Sequence, residues 1–315
     1  MPTAASVHPD AILKDLGKLW IDLGKQDAET GVLRACSMTF IVVAAEEDDP
    51  QVFGETVAEL THENPSRVIV LRVCCAGSQR LESRVYAQCW KPFGRRQQIC
   101  SEIVEISASP EHFADVPKIV LGITVPDLPI VFWSRNTDYT TDRSFAGLLS
   151  MADKVIVDSA RFADPEEGLR FVQELTVGGI NTADLSWTRL TPWRESVAQI
   201  FEDAGRPALR KARITYYKKS PSVAGLYLAG WFRQAVPGLE VIHEAAPDTK
   251  RRSIFLEAPG LEASVEVEGA IALLTVNGLT RESAVPDRDD AALLRDELAI
   301  LGEDAIFRKA LASAG

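Results

Sequence analysis

Two apolar runs of this 315-residue chain, "IVFW" at 130–133 and "KVIV" at 154–157, are each followed at once by polar residues: Arg135 after the first, and Asp158, Ser159 and Arg161 after the second. If the runs are neighbouring strands of an open α/β sheet, these side chains gather outside the strand carboxyl ends, where such sheets bind ligands. Two guanidiniums beside a hydroxyl and a carboxylate would form an anion site able to hold a sugar phosphate. The plainer alternative, solvated loop residues with local ion pairs, is preferred for these four positions.

A second concentration of residues lies in "DLSWTRLTPWRES" (184–196). Trp187, Arg189, Trp193 and Arg194 are of the types that anchor protein interfaces, packed into eight positions. Equally, the tryptophans could pack a domain junction while the arginines pair with nearby carboxylates. The spacing predicts a helix capped by Thr191 with Pro192 in its first position; Glu195 falls one place late for a capping box.

Other catalytic signatures are missing. No G-x-G-x-x-G follows a strand, and neither a P-loop nor a G-x-S-x-G elbow occurs. The four histidines, His8, His62, His112 and His243, show no metal-ligand spacing. His62 or His243 could serve as a lone general base, but an isolated histidine is more often structural. Weight therefore moves from enzyme toward binding protein, with no metal and no cofactor expected. Cys36, Cys74, Cys75, Cys89 and Cys100 make no CxxC pair, and their odd number does not read as a disulfide framework. Adjacent Cys74 and Cys75 would face opposite sides of a strand, so the five are expected as small buried hydrophobes.

The elements that position these residues follow from periodicity. Ile12, Leu13, Leu16, Leu19, Trp20 and Leu23 recur at helical spacing. "RACSMTFIVVAA" (34–45) and "SRVIVLRVC" (66–74) read as buried strands separated by a helix at about 50–61. "SRVYAQCW" and "QQICSEIVEIS" form a predicted hairpin turned by "KPFGR". A helix over 110–121 should kink or restart at Pro117, and Pro129 stiffens entry to the next strand. Further helices are expected at about 142–152 and from Pro165, capped by Asp164 and ended at Gly178–Gly179. Strand–helix alternation implies a mostly parallel sheet. The predicted fold is α/β over 1–165, a mostly parallel sheet flanked by helices, with a second α+β domain over 166–315. That domain holds a strand at about 211–218, a helix at 221–235, two or three strands over 251–277 and two closing helices.

The formal charge of −11 argues against nucleic acid, which is held chiefly by neutralising phosphates. The basic, aromatic "RPALRKARITYYKKSP" (206–221) reads better as a strand with one solvated face. No apolar stretch reaches membrane-spanning length, and the first residues lack a secretory leader. A cytoplasmic protein is expected.

"ENPSRVIVL" (63–71), "ICSEIVEI" (99–106), "VPDLPIVFW" (125–133), "VIVDSA" (155–160), "DLSWTRLTPWRE" (184–195) and "LAGWF" (228–232), in that order, resemble the glucose-6-phosphate dehydrogenase assembly protein family, OpcA. The resemblance runs from about residue 30 to at least 235. It implies a partner that promotes assembly or activation of glucose-6-phosphate dehydrogenase in the oxidative pentose phosphate pathway, binding no cofactor of its own. On the matched motifs, Asp127, Trp133, Arg135, Trp187, Arg189, Trp193 and Arg194 are the expected partner contacts. Burial of Trp187 and Trp193 would count against that role for them.

Overall fold

The structure is a computed structural model that describes residues 7–26, 31–46, 48–92, 94, 97–205, 208–216, 221–245, 252–285 and 287–314. It divides into two compact units. The first holds residues up to Val157 together with 180–182 and 297–301; the second holds 158–179, 183–296 and 302 onward.

The first unit contains helix α1 (Pro9–Gln26), strands β1 (Val32–Arg34) and β2 (Met38–Ala45), helix α2 (Pro50–Glu63), and strands β3 (Ser66–Val73), β4 (Leu81–Trp90) and β5 (Gln98–Ala108). Helix α3 (Val116–Ile123), strand β6 (Ile130–Ser134), helices α4 (Thr137–Thr141) and α5 (Ala146–Met151) and strand β7 (Lys154–Val157) follow. The sheet runs β1-β5-β3-β2-β6-β7 and ends at β8 (Thr182–Asp184), with β4 paired antiparallel to β5. All eight residues of β2 are buried, as a strand covered on both faces requires. Pro117 does restart the chain: α3 begins at Val116 with the proline in its first turn, where the missing N–H costs nothing.

"VPDLP" is a turn. Asp127 lies between the two prolines in left-handed backbone (φ 62°), a conformation aspartate tolerates better than most residues. Thr39 ties the turn down, its hydroxyl accepting from the Val125 N–H at 3.0 Å while its own N–H donates to the Pro129 carbonyl at 2.9 Å. Trp133 then enters the core stacked parallel to Phe40, with ring centroids 6.4 Å apart. On β7 the buried ammonium of Lys154 donates to the Glu297 carbonyl, its carboxylate and the Ile300 carbonyl, each at 2.7 Å, so the charge is fully hydrogen-bonded.

The expected hairpin is present, and its register corrects the reading of the cysteines. Cys89 and Cys100 face each other across β4 and β5 and are joined as a disulfide. Cys36, Cys74 and Cys75 carry free thiols. Cysteine spacing could not show this, because the pairing is set by strand register. Part of the "KPFGR" turn lies outside the described residues.

The second unit contains α6 (Pro165–Val177), α7 (Leu185–Thr188), α8 (Thr191–Asp203), β9 (Lys211–Tyr216), α9 (Val223–Ala235), β10 (Glu240–Ala245), β11 (Arg252–Ala258), β12 (Leu261–Glu268), β13 (Ile271–Val276), β14 (Leu279–Ala284), α10 (Asp290–Ala299, whose last turn returns to the first unit) and α11 (Ala305–Ala312). Its sheet runs β10-β9-β11-β12-β13-β14, parallel between β9 and β10 and antiparallel elsewhere. Ile214, Ile254, Val265 and Leu274 form one buried row across four strands, on the face that takes the helices. In β9, buried Ala212 and Ile214 alternate with Lys211, Arg213 and Thr215, which accounts for the described part of the basic, aromatic segment. Residues 206–207 and 217–220 of that segment lie outside the described residues.

Candidate functional site

A buried polar cluster of the second unit is assembled by short local devices. Asp164 caps α6, its side chain accepting from the Glu166 N–H. Asp184 does the same for α7, accepting from the Ser186 N–H at 2.9 Å. That second cap places Asp184, Ser186 and Arg189 on one turn of chain beside Asp158 and the 3₁₀ turn Ser159–Arg161.

Asp158 is buried and receives a two-pronged guanidinium: Arg189 Nη1 donates to Oδ1 and Nη2 to Oδ2, both at 2.7 Å. Arg161 Nε adds a bond at 3.1 Å and the Ser186 hydroxyl another at 3.1 Å. Arg161 also donates to both oxygens of Asp290, at 3.0 and 2.9 Å, and Arg189 approaches Asp290 at 3.9 Å. Two guanidiniums thus meet two carboxylates. Arg161 and Arg189 both direct donors at carboxylates of the protein itself.

Asp184 is fully buried and accepts from the Ser159 N–H at 3.1 Å, the Ser159 hydroxyl and the Tyr227 hydroxyl at 2.6 Å. Ser186 joins the two acids, its N–H donating to Asp184 and its hydroxyl to Asp158, while that hydroxyl accepts from the Ala160 N–H at 2.9 Å. The two carboxyls are pushed in opposite directions. Burial opposes ionisation of Asp158, but the Arg189 bond and charge, with Arg161 and Ser186, hold it below the ordinary carboxylate range. Burial, then the neighbouring Asp158 charge, raise Asp184 against the bonds donated by Ser159 and Tyr227. Burial and Asp184 push the Tyr227 phenol well above its usual value.

Tyr227 therefore has a testable alkaline signature. A group whose folded pKa is raised stabilises the fold fully below its unfolded value, near 10, and that contribution is lost as pH rises further. In a spectrophotometric titration Tyr227 is expected to ionise last of the tyrosines and together with unfolding. Tyr227→Phe should remove that component and cost about 1–2 kcal/mol, since Asp184 loses a donor.

The aromatic residues are placed by the same unit. Trp187 is 3 % exposed; its Nε1 donates to Asp304 at 3.0 Å, and Tyr227 and Phe307 lie edge-on or tilted at 5.9 and 5.8 Å. The Arg194 guanidinium lies 3.6 Å over the Trp187 ring. Trp193 is 7 % exposed, with Arg252 5.9 Å from its ring. Trp133 of the first unit is buried as well. The three tryptophans are core residues, which corrects their expected place at a partner surface: their apolar area is already removed from water. Asp127 is exposed, and Arg135, Arg189 and Arg194 are partly accessible. Thr191 is not the cap of α8. The chain is already helical at Leu190 (φ −85°, ψ −5°), which takes that position, and the Thr191 hydroxyl accepts instead from Arg194 at 2.9 Å.

Of the four residues expected as an anion site, the structure brings Asp158, Ser159 and Arg161 together, while Arg135 belongs to the first unit. It adds Asp184, Tyr227 and Asp290, which sequence reasoning missed. The D-x-S of "DLS" was the one local signal, a helix-capping aspartate; the Tyr227 and Asp290 pairings span long stretches of chain. Among the described residues no group of three His, Cys, Asp or Glu could hold a metal ion. No described helix is long and apolar enough to cross a membrane.

Residues 57–174 match the family model described as the glucose-6-phosphate dehydrogenase subunit N-terminal domain, and 180–311 match its C-terminal domain. The chain belongs to the OpcA family. Three cyanobacterial relatives carry the provisional name OxPP cycle protein OpcA. That of Nostoc punctiforme is 29 % identical over 180 residues, 55 % of this chain and 38 % of its own length. That of Synechocystis sp. is 28 % identical over 233 residues, 67 % of this chain and 48 % of its own. The Synechococcus elongatus protein is 31 % identical over 177 residues, 54 % of this chain and 39 % of its own. The chain spans less than half the length of the curated relatives it matches. Among solved structures, biliverdin reductase from Synechocystis sp. aligns with a TM-score of 0.46 at 11 % identity, over 88 % of this chain and 97 % of that one. OpcA membership rests on the two family models, which together cover most of the chain.

Proposed function

We propose that this OpcA-family chain is a non-catalytic assembly factor and allosteric activator of glucose-6-phosphate dehydrogenase, acting in the cytoplasm by protein–protein binding. The observation that carries this reading is the pair of dehydrogenase-subunit models matched over 57–174 and 180–311. An activator works by binding the active state of its enzyme better than the inactive one. A coupling of about 1–3 kcal/mol corresponds to roughly 5–150-fold in affinity.

The contact groups we propose are Asp127 and Arg135 on the first unit and Arg189 and Arg194 on the second, with Trp133, Trp187 and Trp193 acting from the core to fix their positions. The test is the dehydrogenase rate over a titration of glucose 6-phosphate, with the chain and with its Asp127→Lys variant. The expected result is a lowered half-saturation or raised maximal rate with the wild type, and a weaker effect with the variant. A rate curve unmoved by the wild type sinks the activator reading.

A further inference from the structure

Strands β3, β4 and β5 carry a second polar cluster in the first unit. Arg72, Ser107 and Glu82 stand in one cross-strand row, and Glu105 with Arg84 in the next. Arg80 immediately precedes β4. With Ser83 these residues line a depression of about 360 Å³, within the range that small ligands occupy. It lies toward the carboxyl ends of β3 and β5, the edge at which open parallel sheets take their ligands.

Glu105 is the buried floor. It accepts from Arg72 Nε at 3.2 Å and from Arg84 Nη2 at 2.7 Å. Glu82 accepts from Nε and Nη2 of Arg80, both at 3.2 Å. A guanidinium has five N–H donors. These bonds use one from Arg72, one from Arg84 and two from Arg80, so the glutamates fix the three side chains while leaving donors for another acceptor. The Arg84 guanidinium is also held 5.7 Å from the Tyr86 ring. Three arginines and two glutamates line this depression, in a chain whose formal net charge is −11. The Asp158 cluster has two arginines with three acids, Asp158, Asp184 and Asp290.

We propose that this depression binds a small phosphate ester bearing hydroxyl groups, its phosphoryl oxygens taken by Arg72, Arg80 and Arg84 and its hydroxyls by Glu82 and Ser107. Planar guanidiniums donate in pairs to phosphoryl oxygens, and the carboxylate and serine supply partners for alcohols. This site does not rest on the dehydrogenase reading.

Calorimetric titration of the full chain at fixed ionic strength with glycerol 3-phosphate, inorganic phosphate and glycerol tests it. Saturable binding is expected for the ester, weaker binding for inorganic phosphate and none for glycerol. Arg84 is largely exposed, so Arg84→Gln should fold normally and weaken ester binding about tenfold, the equivalent of one charge-assisted hydrogen bond. Arg80→Gln should act in the same direction, and Arg161→Gln, in the Asp158 cluster, should leave binding unchanged. Absence of saturable ester binding, an affinity unmoved by Arg84→Gln, or inorganic phosphate binding as tightly as the ester would overturn the proposal.

Discussion

Gly230→Ala is expected to destabilise the second unit by about 3 kcal/mol, at the upper end of what overpacking costs. Gly230 lies in α9 where α11 crosses it, and a Cβ there would come within 2.1 Å of the Ala310 carbonyl and 2.9 Å of the Ala314 backbone. The obstruction is backbone, so no side chain can rotate away; the helices must part, and the packing of Tyr227 against Phe307 goes with them. Gly225, in the same helix, provides the contrast. Its added methyl would meet Ser222 and Ile214 at 3.8 and 3.9 Å, ordinary contact distances. Gly225→Ala should be neutral or stabilising by up to about 1 kcal/mol, from helix propensity alone. Urea midpoints of the two variants check the pair of expectations, and equal shifts would contradict the crossing geometry. The same approach explains the glycine of "LAGWF": it is the space for a neighbouring helix.

Asp158→Ala is expected to cost about 3 kcal/mol, the lower end for breaking a buried ion pair. It removes the acceptor of both Arg189 prongs and of Arg161 Nε. Arg189 keeps a third of its side chain exposed, so water recovers part of its solvation. Asp290→Asn, at the outer side of the cluster, should cost no more than about 1 kcal/mol. The pH dependence separates the two buried acids. Asp158 has a depressed folded pKa, so its contribution is present above the unfolded value, near 3.9, and is lost as pH falls through the folded value. Asp184 is raised and has the opposite sign: the cost of its charge appears as pH rises from the unfolded value through the folded one. Unfolding free energies from pH 3 to 7 should show a shallower acid loss in Asp158→Ala than in the wild type.

The legible parts of the fold were those set within a few residues. The Asp164 cap with Pro165, the restart at Pro117 and the hairpin of β4 and β5 each depend on neighbours in the chain. The Cys89–Cys100 pairing depends on register, which a turn sequence of this length does not determine. Strand β14, "LTRESA", lacks any apolar alternation because all six of its residues are exposed at a sheet edge, so periodicity passed over it. Strand β10, half-buried at the opposite edge, escaped for a similar reason. At the site, Trp187 and Trp193 illustrate a deeper difficulty. A tryptophan beside an arginine has the same composition whether it anchors a partner or carries an internal cation–π contact, and only the placement of Asp304, Tyr227 and Phe307 decides between them. The two-pronged bond between Arg189 and Asp158 joins a residue of the expected interface to one of the expected anion site, a pairing 31 residues apart that no local pattern announces.

The proposed function requires this chain to bind glucose-6-phosphate dehydrogenase. Its most direct test is size-exclusion chromatography with light scattering of the full chain mixed with the dehydrogenase from the same source, at micromolar concentrations and moderate salt. A co-eluting species heavier than either protein alone is expected, formed by the Arg161→Gln variant as well as by the wild type. Two independently eluting proteins, with the dehydrogenase active and the chain folded, would contradict it.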